Sequence, residues 1–520
     1  EDIVRRAAPG LAVCSSHTIL PEMKEYERTS TTVVNAYLLR TMRSYLGRLE
    51  AALKDIGITG PLLVMTSNGG MLPAAAAAEK PVFVVASGPA GGVIGAARLG
   101  EACGLRDLIV FDMGGTTAKA VLIEGGSPTM TSEYEFREGM STSSRFIKAG
   151  GYMLKVPAID IAEVGAGGGS LAAIDKGGLL RVGPESAGAD PGPVCYDRGN
   201  TRPTVTDANV ALGYLNPSAL AGGQLAIRQE LIAPTLDEHV AQPLGIGVVE
   251  AAHGIRSVAN ALMARAIRAV TVERGRDPRD LALVAIGGNG GGHAVDIARQ
   301  LGISHVLVPA LSGVFSAVGM LAADVEHTLV TTMLAPLGQL QPATLEAAMA
   351  HLRQAGEERL AADGYAPARR QFVWSAELRY EGQASELPVA FEDPRPDLLA
   401  RDFTAAYRAL YGYDDDSDIE LVRLRLVARG LRDKRLDFAG VRFEELPSAM
   451  HQESRAVAAQ RGHAPVTMPV VARAVLGETP RPGPFIVEEF DATIVVPAGA
   501  RARRDAAGTV HIEVGASDEG

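Results

Sequence analysis

Leu108-Ile109-Val110-Phe111-Asp112-Met113-Gly114-Gly115-Thr116-Thr117-Ala118-Lys119-Ala120-Val121-Leu122-Ile123 is the most informative segment of the chain. A short apolar run delivers an aspartate, a Gly-Gly-Thr-Thr turn breaks it, and a second apolar run leaves the turn. Runs this short, bounded by turn residues, read as two buried strands joined in a hairpin. A Walker-type phosphate loop would instead need Gly-Lys-Ser/Thr opening a helix. A glycine hairpin still suits phosphates, because its N–H groups can converge on phosphoryl oxygens while threonine hydroxyls add neutral donors. Asp112, at the strand end, is placed to hold a magnesium ion through water or to orient an attacking group. The plain alternative is a tight hairpin in which Asp112 only stabilises the turn, and the motif alone leaves both readings open.

Outward from this hairpin, strands alternate with helices, the pattern of an α/β architecture. Upstream, apolar residues at Val34, Leu38, Met42, Tyr45, Leu49, Leu53 and Ile56 predict a long helix capped near Ser30 and ended by Gly57. A strand over 62–66, the turn Ser67-Asn68-Gly69-Gly70, and Ser87-Gly88-Pro89-Ala90-Gly91-Gly92 opening a small-residue helix follow. Downstream, the longest helix is expected over 248–274, stopped by Gly275. A strand over 281–286 then feeds a second glycine loop, Gly287-Gly288-Asn289-Gly290-Gly291-Gly292-His293, and a helix to Leu301. Backbone amides and the helix dipole meet an anion in that geometry. A dinucleotide fold fits poorly, because Pro309 stands where an acidic residue is expected about twenty positions on. One hairpin loop and one strand-to-helix loop suit an actin-like ATPase cleft better.

Around 331–342 the pattern thins, which suggests a domain boundary there. Beyond it a mixed α+β region is expected, with strands over 373–380 and 419–428 around a helix near 398–410, and an irregular polar stretch over 447–463.

Several reactive-looking residues read as structural. Cys195 has no histidine near it in sequence, His293 is a lone histidine at a helix start, and Asp190 and Asp207 sit beside proline and threonine, where turn and cap duties are common. Glu488-Glu489 with Asp491 reads as a solvated strand edge.

The chain has 520 residues, too many for one hydrophobic core. Its net charge of −11, with no long basic run, argues against a nucleic-acid surface. Three cysteines without a CxxC pair argue for a reducing compartment and against structural zinc. No 18-residue apolar run exists to span a membrane. Glu1 opens the chain without methionine or signal peptide, so the expectation is a cytoplasmic protein and a piece of a longer one.

The ordered motifs then become specific. Tyr26-Glu27-Arg28-Thr29-Ser30-Thr31-Thr32-Val33-Val34-Asn35-Ala36-Tyr37 resembles the opening signature of the hydantoinase A/oxoprolinase family. Ser67 to Gly70, Ser87 to Gly92, the Asp112 hairpin, Glu163-Val164-Gly165-Ala166-Gly167-Gly168-Gly169-Ser170, Ser186 to Tyr196, Pro203 to Asn209 and Gly287 to Ala294 follow in that family's order. Leu378 to Gln383 and Tyr411-Gly412-Tyr413 are similar to its C-terminal region. Two departures stand out. The family begins with a further Asp-x-Gly-Gly-Thr-x-Thr-Asp hairpin in an N-terminal lobe, which nothing before Glu1 supplies. Lys119 also stands where oxoprolinases carry an aspartate, as in the hydantoin-utilisation branch.

The resemblance implies an actin/hexokinase-like (ASKHA) nucleotide-binding domain over 1–335 and a smaller α+β domain over 336–520. It implies ATP and Mg2+ as cofactors and a hydantoinase B-type subunit as partner in a hetero-oligomer. The reaction it implies is ATP-dependent opening of a small cyclic amide such as a hydantoin or 5-oxoproline, through phosphorylation of the carbonyl oxygen. In that scheme Asp112 is catalytic and binds magnesium through water, while Gly114, Gly115, Thr116, Thr117, Gly287, Gly288, Gly290 and Gly291 bind nucleotide. Without the first lobe, this chain alone is expected to be inactive. The alternatives are an ATP-dependent ketone carboxylase subunit and a non-catalytic nucleotide-binding actin-like module.

Overall fold

The computed structural model describes residues 1–22, 24–131, 134–137, 140–142, 152–434, 436–441 and 453–515, with 134–137 and 140–142 described by backbone alone. The irregular stretch expected over 447–463 lies partly outside these residues. The chain forms two compact units, one of residues 88–152, 158–322 and 436–520, the other of residues 1–87, 153–157 and 323–435. These units do not follow the division expected at 335/336. That point falls within strand Val325–Pro336, whose hydrogen-bond partner is Ile419–Gly430, far along the chain.

The unit carrying the glycine loops is built on helix α1 (Ser87–Ala102), strands β1 (Leu108–Met113), β2 (Ala118–Glu124) and β3 (Ala162–Val164), and helix α2 (Val248–Val270). Strand β4 (Ala282–Ile286), helix α3 (Gly290–Leu301), strand β5 (His305–Val308) and the hairpin strands β6 (Arg501–Arg504) and β7 (Val510–Glu513) complete it. In a twelve-stranded sheet, these seven are neighbours in the order β6–β7–β5–β4–β1–β2–β3. Within this run β5, β4 and β1 are parallel to one another, and antiparallel strands flank them on both sides. Leu108 to Phe111 and Leu283 to Ala285 are almost wholly buried, as parallel strands covered on both faces must be.

Helix α2 buries Ala252, Ile255, Ala259, Met263, Ile267 and Val270, spaced three or four apart. A left-handed Gly275 ends the turn after it, where the sequence places the stop. The glycines of α1 have a packing reason. A Cβ on Gly319 would collide with the Gly91 carbonyl oxygen, and one on Gly95 would lie 2.9 Å from the Gly319 Cα. Two helices touch there backbone to backbone.

The second unit holds a six-stranded sheet in the order Leu63–Met65, Met71–Pro73, Val325–Pro336, Ile419–Gly430, Arg370–Tyr380, Leu387–Phe391. Its helix Glu25–Asp55 starts well before the expected Ser30 cap, with Glu25 and Glu27 in the first turn, where carboxylates favour the helix dipole. Thr31, Asn35, Leu39 and Leu46 are buried, not the stripe through Leu38 and Tyr45, because Asn35 is anchored by the Val82 N–H (3.2 Å). Helix Pro342–Ala362 was not expected. Its Gly356 lies against Ala428 of the sheet.

Candidate functional site

The site is built where β1 and β4 end side by side, Asp112 in register with Ile286. Open parallel sheets present their loops for ligands at the carboxyl ends of strands. Asp112 pairs in register with Lys119 on β2, and Lys119 with Glu163 on β3, so the three stand in one row across three strands. The Lys119 ammonium donates to Thr117 Oγ1 at 2.9 Å and lies 3.4 Å from Glu163 Oε1. Burial pushes the Asp112 carboxyl above its ordinary pKa, while Lys119 pulls it down and Glu163 pushes it up. The face on which Lys119 points is thereby fixed. It belongs with Asp112.

The turn beyond Asp112 is tight, with the Gly114 N–H donating to the Thr117 carbonyl at 3.2 Å. A Cβ on Gly114 or Gly115 would touch no atom of the described residues within 4 Å, so none of them crowds that side of the turn. The other side is braced by the Gly165–Ser170 run. Gly168 N–H donates to the Gly114 carbonyl (3.1 Å) and Gly169 N–H to the Gly115 carbonyl (2.5 Å). A Cβ on Gly167 would lie 2.7 Å from the backbone nitrogens of both Thr116 and Thr117, closer than real side chains come. Glycine there lets one loop press against another.

The second glycine loop closes on the first. Gly287 has φ +80°, and a Cβ on it would lie 2.6 Å from Asp112 Oδ1 and closer still to the Met113 carbonyl oxygen. Its N–H donates to the Ser312 carbonyl at 2.7 Å. Asn289 bridges the loops, its N–H donating to the Met113 carbonyl and its side-chain amide to the Gly114 carbonyl, each at 3.2 Å. Gly290 and Gly291 are buried, and a Cβ on Gly291 would sit 2.9 Å from the Thr493 carbonyl oxygen. Helix packing therefore accounts for Gly291, and Gly287 and Gly288 form the half-exposed corner.

Behind that corner His293 is held neutral. Arg256 can only donate, and its 2.7 Å bond to Asn209 Oδ1 turns the Asn209 amide nitrogen toward His293 Nε2, 3.0 Å away. Nε2 thus accepts, and Nδ1 donates to Asn260 Oδ1 at 2.6 Å. Burial, with the Arg256 charge, holds the His293 pKa well below the ordinary value. Both nitrogens are spent, in line with an end residue and not a metal ligand.

The other reactive-looking residues separate clearly. Asp207 caps its helix with Thr204 and also accepts the Val194 and Cys195 N–H groups at 3.1 and 2.9 Å, which occupies both its oxygens. Cys195 is buried, and burial and Asp207 push its thiol far up from the ordinary value, so no thiolate nucleophile is available. Cys195→Ser is expected to leave turnover unchanged within about twofold in steady-state assays, with a stability loss of about 1 kcal/mol. Asp190 is exposed. The solvated edge expected at Glu488, Glu489 and Asp491 is corrected. Glu488 pairs with Arg455 and accepts from Asn216, Glu489 takes both arms of Arg473, and Asp491 accepts the Gly313 N–H at 2.7 Å. Arg455 and Arg473 turn the two glutamates inward, and the Gly313 amide holds Asp491. Glu163 and Asn289 are the site residues the sequence reading did not assign, since a register partner across strands leaves no mark in sequence spacing.

A hydantoinase/oxoprolinase family model matches residues 28–329, more than half of the chain. The chain belongs to the hydantoinase/oxoprolinase family. An uncharacterized protein of Methanocaldococcus jannaschii is 38% identical over 98% of this chain and 74% of its own length. The caprolactamase subunit alpha of Pseudomonas jessenii is 35% identical over 99% of this chain and 73% of its own. The crystal structure of that ATP-dependent caprolactamase superposes with a TM-score of 0.82, covering 99% of this chain and 74% of the other. A nucleotide-free acetone carboxylase structure matches with a TM-score of 0.77 at 25% identity, covering 98% and 72%. The family match spans both the Asp112 hairpin and the Gly287 loop. No helix among the described residues is long and apolar enough to cross a membrane.

Proposed function

We propose that this chain is the nucleotide-binding subunit of an ATP-dependent cyclic amidohydrolase, acting on a small ring such as a hydantoin or 5-oxoproline with a hydantoinase B-type partner. The observation that carries the reading is the meeting of the Gly114–Thr117 turn and the Gly287–Asn289 loop beside one half-buried carboxylate, Asp112. The likeness to a protein named as an ATP-dependent caprolactamase supports it, and the fold is read as actin/hexokinase-like on the same grounds. Both glycine loops belong to the unit of residues 88–152, 158–322 and 436–520, so that unit, not a 1–335 segment, is the one proposed to bind the nucleotide.

The donor set fits a nucleoside triphosphate. Thr116 and Thr117 hydroxyls and the turn amides would face phosphoryl oxygens on the uncrowded side of Gly114 and Gly115. Gly288, just before the start of α3, would add its N–H and the helix dipole, with Gly287, whose own N–H is held by the Ser312 carbonyl, shaping the corner. Gly290 and Gly291 would contribute only through their backbone. A magnesium ion held by Asp112 through water would neutralise phosphate charge. The amide oxygen takes the terminal phosphoryl group as ADP leaves. Water then adds to the carbon, and the C–N bond breaks with release of phosphate. This chain's part is placement and charge neutralisation. ATP hydrolysis that rises when a cyclic amide is added, with the partner present, tests the reading. A rate indifferent to every cyclic amide offered would overturn it.

The second reading is a ketone carboxylase subunit, favoured by the likeness to acetone carboxylase. Both chemistries begin with phosphorylation of a carbonyl oxygen, so the loops serve either.

The charged row sets a pH signature. Asp112 works as a carboxylate and its pKa is raised, so activity should fall as pH drops through a value above the ordinary aspartate range. Lys119→Met should move that acid limb to higher pH and Glu163→Gln to lower pH in kcat/KM profiles. A limb that stays put in both variants would remove Asp112 from the titration.

A further inference from the structure

We propose that Cys103, Asp505 and His511 form a divalent metal site suited to zinc, separate from the phosphate loops. Cys103 follows the end of α1 and leads into the start of β1, whereas Asp112 lies near the finish of that strand. Asp505 opens the turn between β6 and β7, and His511 is the second residue of β7. One ligand atom from each residue lies within 4.8 Å of the others. The Cys103 sulfur is 3.8 Å from Asp505 Oδ2, and His511 Nε2 is 2.8 Å from the same oxygen. Thiolate, imidazole and carboxylate bind zinc at about 2.3, 2.0 and 2.1 Å, which puts neighbouring ligand atoms roughly 3 to 4 Å apart. Small shifts bring the three to that spacing.

Each outward-facing atom already has a support. Asp505 Oδ1 accepts the Thr509 N–H at 2.8 Å, leaving Oδ2 to face the cluster. His511 Nδ1 lies 3.2 Å from Nε2 of His305 on β5. His305 Nε2 is placed to accept a proton from Nδ1 of His511 when Nε2 of His511 holds a cation. In the metal-free chain the Cys103 thiol is directed at the Asp505 carboxylate, the oxygen that would share the ion with it. Metal entry displaces the thiol proton, and the His511 imidazole takes the tautomer with its single proton on Nδ1, facing His305. Arg503 pairs with His511 in register and carries positive charge nearby. Two anionic ligands make the zinc complex neutral, so Arg503 repels it little. Three protein ligands leave a fourth position for water, and the ion would tie the end of α1 to the β6–β7 hairpin.

The test is cobalt titration of the metal-free, reduced chain. The expected result is a thiolate-to-cobalt charge-transfer band that saturates near about one ion per chain, is displaced by zinc, and vanishes in Cys103→Ser. It should survive in Cys14→Ser. No band, or a band that persists in Cys103→Ser, overturns the proposal. Zinc should also slow alkylation of Cys103 in the unsubstituted chain at least tenfold, read by peptide mapping. A rate indifferent to zinc overturns it without recourse to any variant.

Discussion

Asp112→Asn is expected to cut turnover of the enzyme with its partner at least 100-fold, about 3 kcal/mol of barrier, while leaving the fold intact. The amide keeps the shape of the carboxylate but not the charge. Asp112 lies against Gly287, where a Cβ would meet Oδ1 at 2.6 Å, so both glycine loops are referenced to this one group. Its backbone pairs with Lys119 on one side and Ile286 on the other, and those bonds do not depend on the side chain. Circular dichroism and thermal melting should therefore match the parent. Near-parental turnover would return Asp112 to the role of a turn residue.

Arg423→Ala is expected to destabilise the six-stranded-sheet unit by about 3–5 kcal/mol, the usual cost of leaving buried charges uncompensated. Arg423 is 3% exposed and pairs with Glu22, Glu377 and Glu386. Lys155, itself 2% exposed, pairs with Glu22 at 2.8 Å, so the same cluster fastens residues 153–157 into that unit. Burial raises the Glu377 pKa, but Arg425 and Arg423 more than offset it, so the carboxyl ends below its ordinary value. Its contribution to stability is present above the unfolded pKa and lost as pH falls through the lowered one. Denaturant unfolding of the variant at neutral pH measures the effect. A loss under about 1 kcal/mol would mean that Lys155 and Arg425 satisfy the carboxylates without Arg423.

The Asp112 hairpin, the Gly287 loop and the helix Val248–Val270 were legible because local pattern sets them: apolar runs, turn glycines and a 3.6-residue period. The charged row was not. Lys119 and Glu163 lie 44 positions apart by their numbering, and only the β2–β3 register makes them neighbours. The same holds for Glu488 and Glu489, read as solvated until Arg455 and Arg473 are placed beside them. Glycine function was legible only in part. Gly91 and Gly291 answer to helix packing and Gly167 to loop-on-loop contact, whereas a Cβ on Gly114 or Gly115 would meet no described atom within 4 Å. A sequence shows five glycines; their neighbours separate the roles. Helix Pro342–Ala362 escaped because its apolar residues are spread round the helix, with buried Leu345, Leu352 and Leu360 too sparse to mark a stripe.

The central claim is that the two loops serve ATP-driven opening of a cyclic amide. The direct measurement incubates the enzyme and its partner with ATP and magnesium, offering hydantoins, 5-oxoproline, a lactam and simple ketones, with and without bicarbonate. The account predicts ring opening coupled to ADP formation at a rate that bicarbonate does not change. Product formation that requires bicarbonate and consumes a ketone, with every cyclic amide left intact, would contradict it.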